Sequence, residues 1–366
     1  MAHELLTQRA LNRALLARQM LLARHEVSVE EAIEHLVGMQ AQQARPPFVG
    51  LWSRLVGFQA EALRSLLTER RVVRATMMRG TLHLMTRSDY LAFRSTLQTM
   101  LSLAMRSILR DRVDSFPMEE LLAEARRLFS EQPRTFTELR AALLQQFPQA
   151  DERAMGFSAR TQLPLVIVPG EQQWGFRADG DFALAEEWLG EPIAEEAHPH
   201  ALVLRYLAAF GPASTADVQA WSGLQGLAPI LKELRPQLQV FRDERKRELF
   251  DLPDAPRPPE ETPVPVRFVA DFDNLILSHA DRKRVIADPH RAVVVTKNGM
   301  VLPTILVDGF VAGTWKITHA RKTAMLTISP FDTLSVATQQ ALAEEGELLL
   351  QFLEPDASQY DLRIEA

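Results

Sequence analysis

The sequence predicts a mainly helical α+β fold, with three tandem winged-helix motifs followed by a β-rich C-terminal domain. Three observations predict it. An order of helices followed by a β hairpin occurs three times within residues 1–253, and repetition of that kind constrains architecture more than any single element does. One proline-rich run, DAPRPPEETPVP at 254–265, fits neither a helix nor a central strand and reads as an extended connector. Beyond it the composition turns toward strands, in RAVVVTKNGMVLPTILVDGFVAGTWKI.

The first unit is residues 1–100. MAHELLTQRALNR carries charges on both sides of short apolar groups, and Leu11, Leu15 and Leu22 recur at helical spacing. Residues 7–25 therefore read as an amphipathic helix and not as a signal peptide. SVEE at 28–31 is a capping box that opens a second helix, which Gly38 punctuates. Pro46 and Pro47 precede FVGLWSRL, a further helix covers 60–71, and RVVRATMMRGTLHLMT gives two short strands around Arg79-Gly80. In the second unit, 101–190, a helix at 118–130 is followed by Thr135 capping FTELRAALLQQF and by a third short helix. LPLVIVPGEQQWGF then reads as strand, Pro-Gly turn and strand. The third unit, 191–253, places helices at 200–210, in STADVQAWSG and in APILKELRPQL, before LQVFRDERKRELFDL folds as a hairpin with a charged tip. The C-terminal domain, 266–366, has turn signals at Asn298-Gly299 and Asp308-Gly309 and closes with the helix SVATQQALAEEGELLLQFL.

Composition excludes several classes of function. With 366 residues, 46% hydrophobic and 24% charged, the chain is long enough for a large buried core and too apolar for disorder. It has no cysteine, which removes disulfides, thiolate zinc sites, iron–sulfur clusters and cysteine nucleophiles, and fits a reducing cytoplasm. No apolar run approaches the roughly 18 residues of a membrane span. The net charge of −6 argues against a polyanionic partner, yet its distribution argues for one. Residues 64–113 hold ten arginines against three acids, 281–322 hold eight Lys or Arg against three Asp, and 171–200 carry a net −7. One positive face on an acidic body explains that separation. Solvated helix faces whose charges scatter in space are the alternative.

Familiar catalytic signatures are missing: there is no Gly-rich phosphate loop, no HExxH and no Gly-x-Ser-x-Gly. His198 and His200 could touch a metal, but two ligands do not make a tetrahedral site, and solvated surface is the simpler reading. No metal and no cofactor are expected. GMQAQQARPPFVGLWSRL stands out instead. Residues two apart share a side only in an extended segment, so Gln40 and Gln42 converge on one target if the chain is extended after Gly38. Otherwise they decorate a polar helix end.

LVGMQAQ with PPFVGLWSRL, then RGTLHLMTRSDY, RFVADFDNLILSHADRKRVI and VDGFVAGTWKI, in that order and spacing, resemble the winged-helix DNA-binding family that includes the AlkZ and YcaQ DNA glycosylases. The likeness covers essentially the whole chain. It implies a C-shaped molecule whose concave surface holds double-stranded DNA, and excision of alkylated bases. Gln40 and Gln42 fall on the family's catalytic pair, with glutamine at the second position as in AlkZ where YcaQ has aspartate. A neutral amide is a poor general base, but an N7- or N3-alkylated purine already carries positive charge and departs without protonation. Positioning by amide dipoles can supply much of the rest. The expectation is a monofunctional glycosylase on cationic N-alkylpurines, with bulky or interstrand-crosslinked adducts as the wider range.

Around the pair, Arg79, Thr81 and His83 alternate on one strand and are expected on one face of the first wing, touching DNA or the lesion. An exposed edge with a histidine satisfied by its neighbours is the alternative. His279, Arg282, Lys283 and Arg284 read as a phosphate clamp, or else as an ordinary basic turn. Trp52 and Trp315 read as core. The chain is expected to act as a cytoplasmic, nucleoid-associated monomer without a membrane partner. Its rival function is a noncatalytic winged-helix DNA-binding protein or regulator, although three different wings in one chain do not suit a repressor that reads two half-sites through one module.

Overall fold

Local capping signals set several helix starts in the computed structural model, which describes residues 4–320 and 322–365. Ser28, Thr135 and Ser214 each form a complete capping box, with Glu31, Glu138 and Asp217, at the heads of helices Val29–His35, Phe136–Gln146 and Thr215–Ser222. Thr7 and Ser335 cap Gln8–Arg18 and Val336–Leu353. The first helix stops well short of residue 25, because Met20 takes a left-handed φ of 54°.

The strands are β1 (Leu5–Leu6), β2 (Met39–Gln40), β3 (Val72–Thr76), β4 (Leu82–Thr86), β5 (Leu165–Ile167), β6 (Phe182–Leu184), β7 (Gln239–Asp243), β8 (Glu248–Asp251), β9 (Arg267–Val269), β10 (Thr304–Val307), β11 (Phe310–Ala320), β12 (Thr323–Pro330) and β13 (Gln359–Ile364). They form three sheets among the described residues. The hairpins of the first and second units merge into one, in the order β2-β4-β3-β5-β6. The third hairpin, β7-β8, takes β1 as a parallel edge strand. The C-terminal sheet runs β13-β12-β11-β10-β9, and β13 returns parallel to β12 after the helix Val336–Leu353.

Two segments differ from the sequence expectation. WGF at 174–176 is not a strand: β5 pairs with Phe182–Leu184 instead. The aromatic residues of the intervening loop are used for packing, Trp174 edge-on to Phe48 at 5.1 Å and Phe176 beneath the Arg74 guanidinium at 4.9 Å. RAVVV at 291–295 lies in and just after a helix, Asp288–Val294, which has a proline in its first turn and buries only Val294. The two predicted turns follow it. Gly299 has φ 77°, while Asp308 and Gly309 are both left-handed, as a two-residue hairpin turn between β10 and β11 requires.

No regular structure forms in the proline-rich run, yet the run is pinned. Arg9, Arg13 and Arg18 on the first helix donate through Nε to the carbonyls of Glu260 (2.9 Å), Thr262 (2.9 Å) and Pro256 (3.4 Å). The apolar interior also ignores the unit boundaries. One cluster joins Leu51 of the first unit to Phe129, Leu163 and the C-terminal Leu349, and another joins Leu15, Leu97, Phe210 and Ile276. No helix among the described residues is long and apolar enough to cross a membrane.

Candidate active site

The site begins at a glycine. Gly38 has φ 85°, and a first side-chain carbon there would lie 2.8 Å from the Leu84 carbonyl oxygen and 2.2 Å from the Met85 sulfur. Only glycine lets the chain leave helix Val29–His35 and lie against β4 at once. β2 then pairs with β4, placing Gln40 opposite His83. Arg74 on β3 ties down the next residues, Nε donating to the Ala41 carbonyl (2.8 Å) and Nη2 to the Gln42 carbonyl (3.1 Å). The backbone is extended over Met39–Gln40 and bends at Gln42, so the two glutamines do not share one extended strand.

Gln40 is buried, and its Oε1 accepts from Nη2 of Arg79 at 2.7 Å. The same Nη2 donates to Asn274 Oδ1 (3.0 Å), and Nη1 donates to the Trp221 carbonyl. Arg79 does not alternate along a strand with Thr81 and His83. It occupies a turn, Met78–Gly80, with φ 57°, so its side chain curls back toward Gln40. Thr81 closes that turn, its hydroxyl donating to the Met78 carbonyl at 3.1 Å. Gly223 admits it, since a Cβ there would lie 3.2 Å from Arg79 Cα. His83 is fully buried on β4, with Nδ1 donating to the Thr81 carbonyl (3.1 Å) and Nε2 3.5 Å from Arg79. Burial, then the Arg79 charge, pushes the His83 pKa down to about 3. Burial and then Arg282 lower that of Arg79 to about 10. Gln42 is exposed at the sheet edge, its Oε1 accepting from the Leu82 amide at 3.3 Å.

Two aspartates after β9 complete the surroundings. Asp273 forms a two-pronged ion pair with Arg54, 2.9 Å at each prong, and caps the short helix Asn274–Leu277. Asp271 is 7% exposed, and its buried Oδ1 has no hydrogen-bond partner. Burial holds its carboxyl above the ordinary range, against the opposing pull of Arg45. Gln40, Asp271, Asp273, Asn274 and Arg54 line one small pocket with room for about one water molecule. Asp271 and Asn274 were not singled out from the sequence. The available signal was polar residues inside the otherwise apolar FVADFDNLIL.

The basic run divides. His279 is buried, with Nε2 donating to the Phe210 carbonyl at 3.1 Å, and Arg284 is buried with Nη1 donating to the Pro212 carbonyl at 2.8 Å. Lys283 pairs with Asp288 at 2.7 Å, whereas Arg282 keeps Nε and Nη1 without a partner. Within 64–113, Arg64, Arg71 and Arg87 are neutralised by Glu61, Glu30 and Glu191. Trp52 and Trp315 lie in the core. His200 bonds Glu233 at 2.7 Å, and no cluster of three metal-ligating side chains exists among the described residues.

Residues 33–352, which contain Gln40, Gln42, Arg79, Asp271 and the 279–284 run, match the family model for DNA glycosylase AlkZ-like proteins. An interstrand DNA cross-link repair glycosylase of Streptomyces sahachiroi is 24% identical over 348 residues, spanning 90% of this chain and 92% of the relative. The solved structure of the Streptomyces sahachiroi DNA glycosylase AlkZ superposes with a TM-score of 0.79 at 20% identity, covering 99% of this chain and 100% of that one. The chain belongs to the AlkZ-like DNA glycosylase family.

Proposed function

We propose that this protein is a monofunctional DNA glycosylase that hydrolyses the N-glycosidic bond of cationic, N7- or N3-alkylated purines in duplex DNA. The S. sahachiroi relative's name extends the expected range to interstrand crosslinks. The observation that carries the reading is the buried Gln40, locked to Arg79 and lining a small pocket inside the region that matches the family model. Arg79 fixes the Gln40 amide so that its oxygen faces the guanidinium and its N–H groups face the pocket, a prearranged donor for a water or for the sugar. A cationic base needs no proton to leave, so no general acid is required, and among the described residues no lysine lines the Gln40 pocket to form a Schiff base. Arg282, with unpartnered donors, and Lys283, on the surface, are the phosphate contacts of the 279–284 run. The three helix-and-hairpin units act as winged helices on one DNA duplex, and the chain works as a monomer in the cytoplasm.

Single-turnover release of N7-methylguanine from a duplex, with binding measured in parallel, tests this. Gln42→Ala and Gln40→Ala should each lose on the order of a hundred-fold or more in rate. Duplex affinity should stay within a few-fold, because phosphate contacts dominate it. Equal rates in all three proteins would show the glutamines to be bystanders. No release by the wild type from methylated or bulky substrates would favour the noncatalytic DNA-binding rival.

A further inference from the structure

We infer that Asp271 is the catalytic base of this site, the group that takes the proton of the attacking water. The inference rests on the glycosylase reading and supplies a step that the two glutamines do not. The Gln40 oxygen is turned to Arg79 and the Gln42 oxygen to the Leu82 amide, so toward a water both side chains present N–H donors. Donors orient a nucleophile but cannot deprotonate it. An acceptor is needed, and the pocket that Gln40 lines contains one. Asp271 Oδ1 is buried without a partner, whereas Asp273, two residues on, has both oxygens bound to Arg54.

A buried acceptor that is left unmade costs free energy comparable to a lost hydrogen bond, more when charged, unless water or substrate completes it. The pocket has space for one water. In the step proposed, that water accepts from a Gln40 N–H and donates to Asp271. Its oxygen bonds to C1′ as the C1′–N9 bond breaks, and the bonding pair passes to the alkylated purine. The base leaves neutral, the water's proton ends on Asp271, and the positive charge of the lesion and the negative charge of the carboxylate disappear together. The charged groups facing Asp271 are Arg45, ahead of helix Pro46–Arg54, and Arg54 with Asp273 at the pocket wall. Arg54 is already neutralised by Asp273, which leaves Arg45 to keep Asp271 ionised at neutral pH.

Asp271→Asn keeps the shape and removes the basicity. Its excision of N7-methylguanine should fall on the order of a hundred-fold or more, with duplex affinity and the thermal unfolding midpoint close to wild type. The wild-type rate should decline as pH falls through the raised carboxyl pKa, and the variant should lose that limb. Asp271→Ala with added formate should recover activity in proportion to formate. A wild-type rate and an unchanged acid limb in Asp271→Asn would overturn the assignment while leaving the glycosylase reading intact. Inactivity of the wild type itself would instead remove the reading beneath it. Loss of activity with no formate rescue and a lowered unfolding midpoint would make Asp271 structural and also overturn the proposal.

Discussion

Arg18 and Arg54 sit against carboxylates, Asp251 and Asp273, in two-pronged pairs buried on both sides, whereas Arg74, Arg79 and Arg282 touch no carboxylate among the described residues. The first two tie the N-terminal unit to the third hairpin and to the turn after β9. The other three lie around β2, β4 and the 282–284 turn, where backbone carbonyls, amide oxygens or nothing at all face their donors. Burial lowers the pKa of all three, and a second cation lowers each further. An unpaired buried cation costs several kcal/mol, so a chain gains nothing in stability by keeping one. Arg18 and Arg54 are neutralised within the protein, whereas Arg74, Arg79 and Arg282 keep their charge without a paired carboxylate. On the proposed function, it is DNA phosphate or the lesion that faces the second group.

The sharpest way to break this comparison removes one member of each kind. Asp273→Asn leaves Arg54 as a lone buried charge and should cost about 3–5 kcal/mol in urea unfolding. Arg79→Lys keeps a charge but loses the planar fork that reaches Gln40, Asn274 and Trp221 together. It should unfold within about 1 kcal/mol of wild type, yet excise N7-methylguanine on the order of a hundred-fold more slowly. If both variants lose stability equally, the two classes of arginine are one.

The run at 282–284 offers a second contrast, between Arg284, bonded inside the protein, and Arg282, whose Nε and Nη1 have no partner. Arg284→Ala removes a guanidinium that is 5% exposed and bonded to Pro212, so it should lower the unfolding midpoint. Arg282→Ala should leave the midpoint unchanged and weaken damaged and undamaged duplex alike, with the salt slope reduced by about 0.9. Loss of excision at unchanged affinity would move Arg282 from phosphate contact to the reacting centre.

What the sequence made legible was local. The capping box at Ser28, the cap at Thr135, the helix start in STADVQAWSG and the turn at Asp308-Gly309 act through neighbours a few residues away, and each lies where it was read. Gly38 ended its helix for the same reason, and the strand it opens reaches only to Gln40. Readings that depended on partners far along the chain went differently. β5 was expected to pair across the Pro-Gly turn with the segment ending in WGF, but it pairs with Phe182–Leu184, while Trp174 and Phe176 pack on Phe48 and Arg74. Valine-rich 291–295 looks like strand, but its opening proline and an exposed face suit a helix end. Asp271 and Asn274 reach Gln40 and Arg79 across roughly two hundred residues, and no spacing rule connects them. Half of the basic clamp, His279 and Arg284, was indistinguishable in sequence from its neighbours, because only the packing against Phe210 and Pro212 turns it inward.

Acid provides the mildest probe of the same contrast, through the histidine that faces Arg79. In the folded chain His83 is neutral, its pKa pushed down to about 3, whereas in the unfolded chain an imidazole titrates near ~6.5. The unfolded state therefore binds more protons between those values. Stability due to His83 is full above about pH 6.5 and is lost as pH falls, at up to ~1.4 kcal/mol per pH unit. His279, lowered to about 3 by burial and by Arg284, contributes in the same direction. Asp271 works the other way, since its raised carboxyl is protonated more readily when folded, but that term enters only near the carboxylate range. Between about pH 7 and 5.5 the histidines dominate, and each should take away about 1 kcal/mol in urea unfolding. His83→Asn retains a donor for the Thr81 carbonyl and should remove about half of that loss. An unchanged pH dependence in the variant would mean that His83 protonates while folded. That would contradict both its burial and the Arg79 guanidinium 3.5 Å from its Nε2, the two causes that hold it neutral.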